Sequence, residues 1–215
     1  MAKHITKLAV IGALLALGLS SGTFAAPPTA KMLVDTCAGC HGTKGNSVGP
    51  AIPIISAMDP YVFIDMMEAY ANDEIYSTVM GRIARGYTEE EIELMAEYLH
   101  EQEFKPAQQS FDESLVEAGA KLHDRFCEKC HIEGGKPVPD EEDYYILAGQ
   151  WVPYLRFAME DFIADRREMP RDMARRVTRM KKEHGMEESL EALYAFYAAF
   201  TDFESTGAGD DDDDE

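Results

Sequence analysis

The chain has 215 residues, 46% of them hydrophobic, and a formal net charge of −20 at pH 7. That length allows one large domain or two small ones, with ordinary core-forming content. The charge excludes nucleic acid and anionic lipid as natural partners, because both would repel it; a basic protein partner, or solubility alone, accounts for it.

Residues 1–25 have the form of a secretory signal peptide. Lys3 and Lys7 make a positive start, residues 8–19 are an uncharged apolar run, and Thr23-Phe24-Ala25 offers small residues before a cut. The run is too short to span a bilayer comfortably, so the mature chain is expected to begin near Ala26, in the periplasm, without a membrane span. Residues 30–36 read as a short helix, and 43–53, rich in Gly, Ser and Pro, as a loop. Residues 61–70 and 74–85 read as helices. Thr88-Glu89-Glu90-Glu91 is a capping-box sequence. The helix it opens puts Ile92, Met95, Ala96 and Leu99 on one face. Residues 103–110 are polar, contain Pro106, and read as a linker.

The pattern then restarts. Leu115, Leu122 and Phe126 mark the buried side of a further helix; 133–143 is a second Gly/Pro/acid loop; 151–166, 171–182 and 187–200 read as three more helices. No alternating strand is evident. The expected fold is all-α, with a first domain over 26–102, a linker over 103–113 and a second domain over 114–206. The acidic run at 207–215 self-repels and has nothing to bury, so a disordered tail is expected.

The four cysteines of the chain all fall in two motifs, Cys37-Ala38-Gly39-Cys40-His41 and Cys127-Glu128-Lys129-Cys130-His131. Cys-x-x-Cys-His is the haem c attachment pattern: both thiols reach one edge of the macrocycle and the histidine turns under its face. A lone Cys-x-x-Cys also serves thiol exchange and zinc sites. Here histidine follows twice and no cysteine is left over. The 87 positions between Cys40 and Cys127 are too many for one zinc ribbon. Two covalent haems are therefore expected on Cys37, Cys40, Cys127 and Cys130, with His41 and His131 as iron ligands.

The halves align. Ala30-Lys31 and Ala120-Lys121 stand 90 positions apart, and Pro60-Tyr61 and Pro153-Tyr154 stand 93 apart. Met80 and Met173 share the latter offset. Methionine is the common second ligand opposite histidine in cytochromes c, so the repeat nominates Met80 and Met173, with Met169 as rival in the second half. The other methionines read as packing, among them Met58, Met66, Met67, Met95 and Met159. His100, His123 and His184 read as surface or capping groups. Trp151 is expected against a porphyrin or in the core. Resemblance to small cytochromes c, where a proline carbonyl in this loop accepts the ring N–H of the iron-bound histidine, implies that role for Pro50 toward His41, a bond that fixes the imidazole.

The segments around the motifs carry a resemblance. Gly45-Asn46-Ser47-Val48-Gly49-Pro50, Met80-Gly81-Arg82-Ile83-Ala84, Glu133-Gly134-Gly135-Lys136-Pro137 and Leu147-Ala148-Gly149-Gln150-Trp151 resemble the di-haem cytochrome subunit of flavocytochrome c sulfide dehydrogenase. The resemblance implies two cytochrome c domains facing each other across a pseudo-twofold axis. It implies a partner flavoprotein subunit that carries the FAD and oxidises sulfide, and a soluble acceptor such as another cytochrome c. No catalytic site is then expected on this chain. The acidic tail departs from that family's pattern. The alternatives are a free-standing di-haem carrier feeding a terminal oxidase, a haem peroxidase lacking one methionine ligand, and a thiol or zinc protein.

Overall fold

A computed structural model describes residues 26–203; the proposed leader and the acidic tail lie outside the described residues. Nine α-helices and no strand occur among the described residues. In the first half, α1 (Ala30–Asp35) leads to α2 (Ala38–His41), then α3 (Pro60–Ala71), α4 (Met80–Ala84) and α5 (Glu89–His100). The second half holds α6 (Glu113–Phe126), α7 (Val152–Ile163), α8 (Arg171–His184) and α9 (Met186–Ala198).

Local chemistry sets the helix starts. Asp59 Oδ1 accepts the Val62 N–H at the start of α3, where Pro60 occupies the first position. The capping box of α5 forms as expected: Thr88 Oγ1 accepts the Glu91 N–H while the Glu91 carboxylate accepts the Thr88 N–H. Gly185, at φ +82°, ends α8 and starts α9 in one residue, a left-handed corner that disfavours other side chains.

One predicted helix is much shorter than expected. Residues 74–79 are not helical, and only Met80–Ala84 coils. Asp73 turns the chain out of α3 at φ +58°. The Ile75-Tyr76-Ser77-Thr78-Val79 stretch that follows is poor in helix formers, and Ser77 spends its hydroxyl on the Gly81 N–H.

Each half encloses its own core. The first gathers Leu33, Val34, Ile55, Phe63, Met67, Ala84, Ile92, Met95, Ala96 and Leu99. The four residues placed on one face of α5 are all buried there. The second gathers Leu122, Phe126, Leu155, Met180, Ala192, Leu193, Tyr194 and Tyr197. There α6 and α9 cross so closely that a Cβ on Gly119 would stand 2.0 Å from the Ala192 carbonyl oxygen.

A third cluster of Ile54, Ala57, Phe104 and Ala107, with Ile146, Trp151 and Phe203 against it, joins the halves. Gln150 clamps it, its Nε2 donating to Ile54 O (2.6 Å) and its Oε1 accepting from Ile54 N–H (3.1 Å). The Tyr144 hydroxyl donates to Ala57 O. The connecting stretch is non-helical but firmly held. Lys105 N–H donates to Asn46 Oδ1, Ala107 N–H to Gly149 O, and the Gln109 amide bonds both Gln150 O and Val152 N–H. Among the described residues, no helix is long and apolar enough to cross a membrane.

Candidate metal centres

Both motifs fold into the same turn. In the first, Cys40 N–H and His41 N–H both donate to Cys37 O, at 3.1 and 2.8 Å; in the second, Cys130 N–H and His131 N–H both donate to Cys127 O, at 3.0 Å each. Two thiols and one imidazole thus leave a single turn of backbone, with α1 and α6 delivering the chain to it. The repeat continues past the turn. Ile55 and Ser56 N–H donate to Gly45 O, and Leu147 and Ala148 N–H donate to Gly135 O. Ala57 N–H donates to Leu99 O as Gly149 N–H does to Tyr197 O, each tying its loop to the last helix of its half.

The half-buried thiols, Cys37 and Cys127, are not set up for exchange chemistry. A nucleophilic cysteine needs a lowered pKa. Burial instead raises Cys37 above its ordinary value and pushes Cys127 up to about 11. Cys40 and Cys130 are exposed, and none of the four is paired in a disulfide. Among the described residues, no group of three or more His, Cys, Asp or Glu side chains is placed to hold a metal ion by itself.

The imidazoles are held neutral, the form that ligates a metal. Burial lowers the His41 pKa, and its Nδ1 bonds the Pro53 carbonyl oxygen at 2.9 Å, leaving Nε2 free. The acceptor is therefore Pro53 and not Pro50. The loop returns to Gly45 through Ile55 and Ser56, and that anchorage brings the carbonyl three residues further along to the ring. Burial pushes His131 down to about 4. Its Nδ1 is buried without a hydrogen-bond partner. By the hydrogen-bond repeat, Tyr145 stands where Pro53 does, and its ring lies edge-on to His131 at 5.9 Å. A neutral, water-shielded imidazole one turn from two thiols fits a covalently attached haem twice over.

Met80 opens α4, half-buried against the first core. Met173 is half-buried in the first turn of α8, and Met169 is half-buried in the segment before it. Met67 and Met95 are buried as core, as is Met180. Trp151 lies between the halves: its Nε1–H donates to Ser47 O (3.0 Å), and its ring covers Gly49, where a Cβ would meet it at 2.3 Å. Its surroundings match the core alternative.

His123 departs from expectation. It is 2% exposed, not a surface group. Its Nδ1 bonds the Tyr197 hydroxyl (2.9 Å) and its Nε2 the Glu128 carboxylate (2.7 Å), which also accepts Glu133 N–H and Gly134 N–H. The Glu128 of the second motif is thus tied beneath its own loop. The signal was in the repeat: His123 falls 90 positions after Leu33, a core residue.

No family model matches the chain. It is 51% identical over 63 residues to the cytochrome subunit of sulfide dehydrogenase of Chlorobaculum tepidum, a match covering 29% of this chain and 56% of that one. The chain thus spans about half the length of this curated relative, and over that stretch the resemblance read from the motifs holds. Its structure is similar to reduced cytochrome c4 of Pseudomonas stutzeri, with a TM-score of 0.66 at 20% identity over 80% of this chain and 96% of that one. Cytochrome c4 of Acidithiobacillus ferrooxidans gives 0.61 at 18% identity, over 77% and 99%. Thiosulfate dehydrogenase TsdBA of Marichromatium purpuratum gives 0.61 at 22%, over 75% of this chain and 36% of that one. The fold is that of two tandem cytochrome c domains.

Proposed function

We propose that the protein is a periplasmic di-haem cytochrome c that takes electrons from the FAD-bearing subunit of a flavocytochrome c sulfide dehydrogenase and passes them to a soluble acceptor such as a cytochrome c. Residues 26–102 and 114–206 are the two haem-holding domains, 103–113 joins them, and 1–25 is removed on export. Cys37 and Cys40 hold one haem c, and Cys127 and Cys130 the other. His41 and Met80 bind the first iron, and His131 and Met173 the second. The observation that carries this reading is the shared hydrogen-bonded turn that presents two thiols and a neutral imidazole in both halves. The sulfide dehydrogenase relative supports the donor.

Haem c supplies one-electron chemistry at iron, with a potential set by axial ligands, neighbouring hydrogen bonds and burial. The chain does the rest. Pro53 O keeps the His41 ring in one orientation and tautomer, with Nε2 as the free ligand atom. The interface cluster and the Gln150 clamp hold the two motifs at a fixed separation.

Production in a host competent in haem attachment tests the reading. The mature protein is expected to gain the mass of two haems and to show the charge-transfer absorption of a methionine–iron bond. Met80→Ala and Met173→Ala are each expected to open one iron to carbon monoxide in the reduced protein; a colourless product, or carbon monoxide binding unchanged in both variants, would overturn it. Purification from the native periplasm with a flavoprotein at equal stoichiometry is expected. A lone monomer would favour the free-standing carrier.

A further inference from the structure

The second motif sits beside an unusual surface. The chain carries 20 Lys and Arg against 40 Asp and Glu. Yet α8 packs Arg171, Arg175, Arg176, Arg179, Lys181 and Lys182 into 14 residues with only Asp172 and Glu183 in opposition. The remainder of the chain therefore has 14 cations against 38 acids. Two further cations reach the helix. Arg125 Nη2 lies 2.6 Å from Glu183, which Arg179 also approaches at 3.3 Å. Lys129 Nζ lies 4.0 Å from Asp172, which Arg175 contacts at 2.5 Å. Each acid of the patch is thus shared between two cations, and the face stays strongly positive. The Arg175 and Lys129 side chains are 73% and 65% exposed.

This face is continuous with the metal centre. Lys129 belongs to the Cys-x-x-Cys-His motif itself, and the Arg176 charge acts on the Cys127 thiol, lowering its pKa against burial. Asp172, Arg175, Arg176 and Arg179 line a cleft of about 270 Å³, open to solvent and ringed by guanidinium groups. Guanidinium forks match carboxylates in shape as well as charge. The first half offers the opposite. Its motif carries Ala38 and Gly39 between the cysteines, Arg85 is paired with Asp73, and α5 opens on Glu89, Glu90 and Glu91. Residues 26–102 hold 4 Lys and Arg against 12 Asp and Glu.

We propose that the α8 face, with Arg125 and Lys129, is a docking surface for the acidic patch of a protein redox partner, which it delivers to the second motif. Opposite charges at the two motifs then sort partners by end: a basic surface is steered to the first half, an acidic one to the second. The redox part rests on the proposed function; the binding part does not.

The test compares two triple charge reversals in the full chain. One is Arg171→Glu, Arg175→Glu and Lys182→Glu on α8; the other is Lys31→Glu, Lys44→Glu and Arg82→Glu in the first half, an equal change in net charge. The probe is a fluorescein-labelled 20-residue polyglutamate peptide, followed by anisotropy at low salt. The α8 variant is expected to lose affinity by about tenfold and the first-half variant by less than about twofold, and wild-type affinity should fall steeply with ionic strength. Equal losses in the two variants, or affinity indifferent to salt, would overturn the proposal. So would an affinity that rises on deletion of residues 207–215, because the chain's own acidic tail would then fill the face. If a triple reversal unfolds the chain, Arg175→Gln alone takes its place and is expected to lose affinity where Arg82→Gln does not. In the haem-loaded protein, oxidation by anionic ferricyanide is expected to slow in the α8 variant, and oxidation by cationic hexaamminecobalt not to slow. Absence of haem would defeat the functional reading while leaving the peptide result intact.

Discussion

Replacing Gln150 by alanine should weaken the joint between the halves more than any change of similar size at the surface. Gln150 is 3% exposed, and its amide satisfies both backbone groups of Ile54, itself 1% exposed. Alanine removes both partners at once and leaves the N–H and C=O of Ile54 unpaired in the apolar cluster that includes Phe104 and Ala107. Each stranded group costs roughly 1–3 kcal/mol, so the pair costs about 4 kcal/mol, before any loss from the space vacated. With a urea slope of about 2 kcal/mol/M for a chain of this size, the unfolding midpoint should fall by about 2 M. Gln150→Met separates the two contributions, since it fills most of the volume and forms neither bond; it is expected to lose most of the same stability. The assay is urea unfolding of the haem-loaded protein, followed by far-UV circular dichroism. A midpoint within about 0.3 M of wild type for Gln150→Ala would mean that water replaces the amide and that the interface is not a closed core.

Gly119→Ala forces a methyl group into the Ala192 carbonyl where α6 and α9 cross, and neither backbone can yield without parting the helices. It is expected to cost at least about 3 kcal/mol, read as a lowered melting temperature, whereas Gly39→Ala, with nothing within 4 Å, should be nearly silent. His123→Leu copies the first half's Leu33 but strands the Tyr197 hydroxyl; a loss of about 1–3 kcal/mol is expected in urea unfolding, and a gain would contradict the buried network. The Glu128 carboxyl is pushed up by burial, yet bonds from Gly134 N–H, His123 and Glu133 N–H outweigh this and hold it below its ordinary value near 4.5. A depressed carboxyl stabilises the fold fully above its unfolded pKa and loses that contribution as pH falls through the folded one. The Glu128→Gln penalty should therefore be present at pH 7 and shrink below about pH 4.5; an equal penalty at pH 7 and pH 3 would show that the carboxylate charge is irrelevant.

Where a feature is local, the sequence shows it. The four-residue stripe on α5, its capping box and the 90-residue echo between motifs all follow from residue spacing, and all reappear in the structure. Features that depend on the return path of a loop were not legible. The resemblance to small cytochromes c nominated Pro50, but the anchorage of Ile55 and Ser56 on Gly45 brings Pro53 to His41. A polar residue near a helix end usually faces water, so His123 read as surface; its partners come from the motif and from α9, which no local pattern joins. Trp151 could cover a cofactor or a joint between halves, and only the approach of Ser47 and Gly49 from the other half separates these. The shortened α4 reflects side-chain competition for backbone donors, which periodicity does not register.

The pinned stretch between the halves has a practical consequence. Phe104 and Ala107 are buried, and hydrogen bonds of Glu103 and Lys105 with Asn46, of Ala107 N–H to Gly149 O and of Gln109 to Gln150 O fasten the stretch. A protease that nicked this stretch would sever the polypeptide without freeing either piece. The fragments should co-elute as one particle until a denaturant separates them, and two separately synthesised halves should find each other by the same surface.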